Sequence, residues 1–197
     1  MESKDQDTKA SGESQPGQGG GFNPMGMMKK MMEKMMSGMM TPEDMPRMMQ
    51  YLAGIKDVFT CEIVGHAMGE RMTQELVSRA LWKAMQWKRP AAGLIHHSDR
   101  GSQYCAHGYR KLLDQFGLSA SMSRRGNCYD NAPMESFWGS LKNELVHHQR
   151  YATRSEAKAS IREYIEIFYN RQRRHSRLGY LAPAVFAQKF SSQQAAA

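Results

Sequence analysis

Two acidic residues, Asp99 and Glu135, stand where carboxylates could hold a divalent metal ion. Asp99 follows the short apolar segment 93–97, which predicts a β-strand, and Glu135 falls near the first turn of a predicted helix. Open α/β sheets place reactive groups beyond the carboxyl ends of their strands. Carboxylate oxygens suit Mg²⁺, and two such ions can stabilise both oxygens of a phosphoryl displacement. The alternative for each acid taken alone is a surface ion pair or a helix-start charge.

Basic residues accompany this pair of acids. Lys142 lies seven residues after Glu135, so both side chains are expected on one face of the helix, where a lysine could hold a DNA phosphate. Arg124 and Arg125 lie in a predicted loop just before that helix. We expect phosphate contacts from this loop and from a later basic patch, although a solvated basic surface is the alternative for both. The patch consists of Arg171, Arg173, Arg174, His175 and Arg177.

The elements that must position these residues alternate between strands and helices, which predicts an α/β fold. Short β-branched segments predict strands, and apolar residues at helical spacing predict helices. Thr73 and Thr153 are expected to cap two of the helices. The predicted order is strands 51–59 and 62–68, helix 73–90, strand 93–97, helix 102–116, strand 118–122, a helix from Asp130 or Asn131 to about 146, and a helix from 153 onwards.

The first 50 residues differ in composition from the rest of the chain. Residues 1–24 are rich in Gly, Gln and Ser and predict a disordered tail. Residues 25–50 carry methionine pairs every four residues, which predicts a Met-rich helical segment. An adaptable packing stripe is the favoured interpretation, and a Cu(I) site or a groove for a partner are the alternatives. Residues 51–190 are expected to form the globular domain, and 191–197 a short tail.

Charge and cysteine content narrow the classes of function. The chain of 197 residues has a net charge of +8, and its excess of basic residues lies after residue 50, which favours a polyanionic partner such as DNA. It contains no apolar run long enough to cross a membrane, and its start has no signal-peptide core. Three cysteines without a CxxC pair favour free thiols in a reducing cytoplasm.

Several motifs, in order and at matching spacings, resemble the catalytic core of bacterial insertion-sequence transposases, within the retroviral-integrase-like DDE superfamily. The similarity extends from about Tyr51 to Phe190. The motifs that carry it are His96-His97-Ser98-Asp99-Arg100-Gly101, Ser123-Arg124-Arg125-Gly126-Asn127, Asp130-Asn131-Ala132-Pro133-Met134-Glu135, Leu141-Lys142-Asn143-Glu144 and Phe168-Tyr169-Asn170-Arg171, followed by Leu178-Gly179-Tyr180-Leu181-Ala182-Pro183.

The resemblance implies a ribonuclease-H-like fold, Mg²⁺ or Mn²⁺ held by two Asp and one Glu, and strand cleavage and transfer on transposon ends. Asp99 and Glu135 match the second and third acids, and Lys142 matches the basic residue that follows them. The partners it implies are DNA at transposon ends and target sites, further copies of the chain, or intact transposase subunits. We expect the chain to lack the first strand of the fold.

The first acid of the family has no match in this sequence. Its place falls near Met39, inside the Met-rich segment, and neither Glu43 nor Asp44 lies in a strand-like pattern. Asp57 matches a turn residue of the family that takes no part in catalysis. We therefore expect a DDE core that is inactive alone. The alternatives are a noncatalytic DNA-binding protein that interferes with an intact transposase, and a Met-rich metal-binding protein with a passenger domain.

Two further expectations concern aromatic residues. His97 is expected to donate a hydrogen bond near Asp99. Trp82, Trp87 and Trp138 fall on apolar helix faces, which favours packing in the core over stacking against nucleic-acid bases.

Overall fold

This computed structural model describes residues 52–124 and 129–195. A β-hairpin begins the described part of the chain. Strands β1 (Leu52–Lys56) and β2 (Ile63–Met68) pair antiparallel, with Ala53 opposite Ala67. At the turn, β1 ends three residues earlier than predicted and β2 begins one residue later. The Asp57 carboxylate accepts a hydrogen bond from the Phe59 backbone N–H at 2.8 Å, which bends the chain there.

Helix α1 (Gln74–Lys88) follows the hairpin and confirms the predicted cap. The Thr73 hydroxyl accepts a hydrogen bond from the Leu76 backbone N–H at 3.3 Å. The helix ends at Arg89, whose left-handed backbone precedes Pro90. On β2, a Cβ at position 65 would lie 2.2 Å from the Ala80 carbonyl oxygen. Gly65 therefore allows α1 to pack closely on the hairpin.

A parallel pair of strands follows α1. Strand β3 (Ile95–Ser98) pairs with β4 (Ser119–Met122), with His97 opposite Ser121. Two helices connect them, α2 (Ser102–Cys105) and α3 (His107–Gln115), where the sequence predicts one. The break occurs because Ala106 has an extended backbone. Within the described ranges, the hairpin and the parallel pair form two separate sheets.

The rest of the described chain is helical. Helix α4 (Ala132–Glu144) follows β4, and α5 (Arg154–Glu163) begins at Thr153, whose hydroxyl accepts from the Glu156 backbone N–H as predicted. Helix α5 continues as a π-helix, Tyr164–Gln172, and α6 (Pro183–Ala195) is the last element. Short 3-10 turns lie at Tyr129–Asn131, Val146–His148 and Ser176–Leu178.

The hairpin lies between two apolar clusters because its alternate side chains point to opposite faces. Ala53 and Ala67 face α1 and α3, and Leu52 and Ile63 face α4, α5 and the π-helix. Trp138 packs against the second cluster, but Trp82 and Trp87 are 48% and 52% exposed, so the core prediction for those two is wrong. The buried face of α1 consists instead of Leu76, Val77, Ala80, Leu81 and Ala84.

The described residues confirm the α/β class. The predicted disordered tail and Met-rich helix lie outside them, in residues 1–51. None of the described helices is long and apolar enough to span a membrane.

Candidate functional site

Asp99 lies directly after β3, at the carboxyl end of the parallel pair. Its side chain is exposed, and Oδ1 accepts a hydrogen bond from the Gly101 backbone N–H at 2.8 Å. This bond orients the carboxylate within the loop between β3 and α2. One oxygen of this exposed carboxylate is therefore held by the backbone.

The loop that carries Asp99 is joined to the end of β4 through Ser123. Arg100, the next residue after Asp99, donates from Nε to the Ser123 carbonyl oxygen at 2.8 Å. Ser123 is 4% exposed, and its hydroxyl donates to the Asn131 side-chain oxygen at 3.3 Å. Asn131 is the residue before α4, the helix that carries Glu135. Ser123 thus connects the Asp99 loop with the start of the Glu135 helix.

His97 completes this network and forms the expected hydrogen bond near Asp99, although its partners are two serine hydroxyls and not Asp99 itself. Its Nδ1 lies 3.0 Å from the Ser121 hydroxyl, and its Nε2 lies 3.0 Å from the Ser123 hydroxyl. Residues 121 and 123 share one face of the β4 segment, opposite His97 in the parallel register. Because the Ser123 hydroxyl donates its proton to Asn131, it accepts a hydrogen bond from His97 Nε2.

Glu135 and Lys142 lie on the exposed face of α4, as their spacing predicts. The opposite face is buried by Phe137 and Leu141. At the start of the helix, Lys56 of β1 donates from Nζ to the Pro133 carbonyl oxygen at 2.8 Å. These contacts fix the helix against the hairpin, so that the carboxylate and the ammonium group face solvent on the same side.

The predicted basic residues differ in their partners. Arg124, Arg171 and Arg174 are exposed, whereas Arg125 lies outside the described residues. Arg173 instead binds Glu144, the last residue of α4, with Nη2 at 2.7 Å from Oε1 and Nε at 2.9 and 3.0 Å from the two oxygens. The phosphate contacts expected of this patch therefore depend on its exposed members.

Tyr164 also binds the carboxylate of the Arg173–Glu144 pair, since its hydroxyl donates to Glu144 Oε2 at 2.7 Å. Burial alone would raise the pKa of the Glu144 carboxyl, but the hydrogen bonds from Arg173 and Tyr164 outweigh it and lower the pKa. Arg173 additionally lies over the Tyr169 ring, 5.8 Å from its centroid. The pair joins the end of the Glu135 helix to the segment after the π-helix.

The metal that the resemblance implies would find oxygen donors at Asp99 and Glu135, which is the donor type that Mg²⁺ and Mn²⁺ prefer. Both side chains are exposed. Within residues 52–124 and 129–195, no group of three or more His, Cys, Asp or Glu side chains is arranged to hold one ion. Among the described residues, the donor type of Asp99 and Glu135 suits such an ion, but the two carboxylates are not joined by a third acid there.

Sequence reasoning missed the two polar residues that connect the elements. Ser123 joins the ends of β3 and β4 to α4, and Asn170 of the π-helix is 2% exposed. The Asn170 amide pairs with the backbone of Ile63, at 2.9 Å for the accepted bond and 3.1 Å for the donated one. The sequence feature that could have pointed to these two residues is their place inside the motifs shared with the family. Their residue types alone do not suggest that they connect elements.

Comparison with known proteins places the chain in a family. Two models described as integrase core domain match residues 39–128 and 116–183. An uncharacterized 31 kDa protein of insertion element IS600 from Shigella sonnei is 68% identical over 145 residues, covering 74% of this chain and 53% of that protein.

Two transposases are also similar. The transposase for insertion sequence element IS904 of Lactococcus lactis is 46% identical over 142 residues, covering 72% of this chain and 56% of that protein. Transposase InsF for insertion sequence IS3A of Escherichia coli is 42% identical over 139 residues, covering 71% of this chain and 48% of that protein. The chain spans about half the length of these relatives. It belongs to the insertion-sequence transposases with a DDE integrase core.

Proposed function

We propose that this chain carries the DNA-joining core of an insertion-sequence transposase and binds a divalent metal ion through Asp99 and Glu135. The observation that carries the proposal is the Ser123 network. Hydrogen bonds from Arg100 and to Asn131 draw the Asp99 loop and the start of the Glu135 helix to the carboxyl end of the parallel strands. This connection supports a site in which both acids lie beyond the carboxyl ends of the parallel strands, where such folds place their chemistry.

The chemistry proposed for this edge is phosphoryl transfer on DNA. Mg²⁺ or Mn²⁺ would supply charge for the attacking and leaving oxygens. Asp99 and Glu135 would hold the ion, and Lys142, on the same face of α4 as Glu135, would bind a phosphate of the strand. Arg124 and the exposed arginines Arg171 and Arg174 would bind phosphates farther along the DNA.

We further propose that the chain does not cleave DNA alone. The resemblance implies that the Met-rich segment takes the place of the family's first strand and first acid. In support, the hairpin and the parallel pair share no hydrogen-bonded ladder among the described strands. A site with two carboxylates binds a second ion weakly. The same observation favours a second candidate, a noncatalytic DNA-binding form that joins and inhibits the oligomer of an intact transposase.

Metal binding and cleavage test these proposals in one set of variants. We expect Mn²⁺ binding, measured by electron paramagnetic resonance, to weaken at least about tenfold in Asp99→Asn and in Glu135→Gln because each removes one of two charged ligands. Glu163→Gln is the matched control, since Glu163 is an exposed acid at the end of another helix. Equal Mn²⁺ affinity in all four proteins would contradict the metal site.

The cleavage assay uses a transposon-end duplex with Mn²⁺. We expect no nicking above background by the unmodified chain. Nicking that Glu135→Gln abolishes and Glu163→Gln preserves would show that the chain is active alone, and would exclude the noncatalytic candidate.

A further inference from the structure

A cavity of about 520 Å³ lies along the outer edge of β2, away from the Ser123 network. Its floor is the edge of β2 from Ile63 to His66, and its walls come from α1, the π-helix and α6. None of its lining residues belongs to β3, β4 or α4. A volume of this size is typical of sites for small molecules or for one unit of a polymer.

The cavity contains a buried polar group without a partner. His66 is 5% exposed, and within the described part of the chain its Nε2 makes no hydrogen bond. The Glu166 carboxylate lies 3.6 Å away, which is beyond hydrogen-bonding distance. Burial lowers the pKa of His66, so the imidazole is neutral at pH 7 and can donate or accept at Nε2. A buried group of this kind costs free energy unless something else binds it.

The wall of the cavity includes an exposed indole. Trp87 is 52% exposed, and the Lys88 ammonium lies 4.8 Å from the centroid of its ring. Lys88 is held in turn by an ion pair with the buried Glu62. The position of the lysine against the ring is therefore fixed by a charge inside the fold, and the ring is a preformed surface for stacking.

The rim of the cavity is mainly basic. Lys83 of α1 and Arg171 of the π-helix line it and are exposed, and Arg162 adds positive charge near His66. Glu166 is the one acid among the lining residues, and it lies beside His66. An anionic group is therefore favoured beside these two residues, whereas the part of the ligand near Glu166 must be neutral or a hydrogen-bond donor.

We propose that this cavity binds one unpaired nucleotide of a DNA strand. The base stacks on Trp87 and hydrogen-bonds His66 Nε2, and its phosphate contacts Lys83 and Arg171. Aromatic stacking beside a basic groove is the general way in which proteins hold single strands. The inference rests on the proposed function, since it assigns a second contact to the same DNA, outside the pair of acids.

The test measures binding of a fluorescein-labelled deoxyadenosine strand of about 12 nucleotides by fluorescence anisotropy, with the full chain in EDTA. We expect Trp87→Ala to weaken binding at least about fivefold, the loss of one stacked base. Trp82→Ala is the matched control because Trp82 lies on the same helix, is 48% exposed and is not part of the cavity lining. Equal losses in the two variants would overturn the proposal.

Two further arms identify the bound group. A strand of abasic sites should bind the unmodified chain more weakly, and Trp87→Ala should not weaken it further. Deoxyadenosine monophosphate should compete better than inorganic phosphate, and equal competition would reveal a simple anion site and contradict the proposal.

Photocrosslinking of the unmodified chain provides a measurement that does not depend on how a variant folds. With a strand that contains 5-iododeoxyuridine, we expect the crosslink at Trp87, and a crosslink confined to Trp82 would overturn the site. Because EDTA excludes any bound metal ion, failure of this proposal leaves the Mn²⁺ prediction for Asp99 and Glu135 standing.

Discussion

The imidazole of His96, on strand β3 just before Asp99, makes a hydrogen bond that depends on its protonation state. Its Nε2 lies 3.0 Å from the Tyr109 hydroxyl. Burial, with a smaller contribution from His97, lowers the pKa of His96 to about 4, and burial raises the pKa of Tyr109. Tyr109 therefore donates and the neutral His96 accepts. Protonation of His96 would remove the acceptor and place a charge next to the core.

We expect the free energy of unfolding to decrease as the pH falls below about 6.5, the pKa of histidine in the unfolded chain. Because the pKa of His96 is lowered in the folded state, its stabilising contribution is present above that pH and is lost as the pH falls towards about 4. His96→Gln keeps an acceptor for Tyr109 but cannot be protonated. Its free energy of unfolding should therefore fall less with pH than that of the unmodified chain, and the difference between the two should be about 3 kcal/mol at most.

Urea denaturation between pH 7 and 4 measures this difference. His148→Gln, at an exposed histidine in a short 3-10 turn, is the control and should follow the unmodified chain. The part of the slope that remains in His96→Gln comes from other groups whose pKa is lowered in the folded chain, among them His66, Glu144 and His175, and burial lowers the pKa of His175 to about 4. Parallel curves for His96→Gln and the unmodified chain would contradict the prediction.

At the scale of elements, the pair of Arg173 and Glu144 joins α4 to the segment after the π-helix. Arg173→Ala should destabilise the fold by about 1–2 kcal/mol, since a hydrogen-bonded and partly buried carboxylate loses its partner. Amide hydrogen exchange should increase in the last turn of α4, because local opening follows the loss of such a contact.

Urea denaturation and hydrogen exchange check this expectation. Arg174→Ala is the control. Arg174 is the exposed neighbour of Arg173, and its replacement should change the free energy of unfolding by less than about 0.5 kcal/mol. A double-mutant cycle with Glu144→Ala isolates the pair, and a coupling energy near zero would show that the contact does not stabilise the fold.

The elements that the sequence predicted well are those with local signals. The caps at Thr73 and Thr153 and the two β-branched strands of the hairpin each depend on residues within a few positions, and the structure has all of them. The break at Ala106 carries no Gly or Pro signal. The π-helix depends on distant contacts, because Asn170 pairs with Ile63 across 107 positions of the chain.

The site shows the same division. The strand before Asp99 and the helical spacing of Glu135 and Lys142 are local patterns, and the sequence predicted them. The partner of Arg173 could not be predicted, because Glu144 comes next to it only when α4 packs against the π-helix. Likewise, the exposure of Trp87 follows from which face of α1 the hairpin covers, and both faces carry apolar residues.

For the whole molecule, the net charge of +8 contributes to phosphate binding only through basic side chains that are free to contact a phosphate. Arg171 and Arg174 lie exposed in the patch, while the charge of Arg173 is engaged by Glu144. The fold thus divides the arginines of the patch into three that face solvent, Arg171, Arg174 and Arg177, and one, Arg173, that holds two elements together. Binding of duplex DNA should therefore depend on some basic residues of the patch and not on others.

We expect the affinity for a nonspecific duplex to fall steeply as salt increases, because each phosphate contact releases counterions. Arg174→Gln should reduce the slope of log affinity against log salt by about 0.9, the value for one contact, whereas Arg173→Gln should leave the slope unchanged. Fluorescence anisotropy over a salt series measures both slopes. A flat response, or an equal reduction in the two variants, would contradict this assignment, since Arg173 would then bind phosphate despite Glu144.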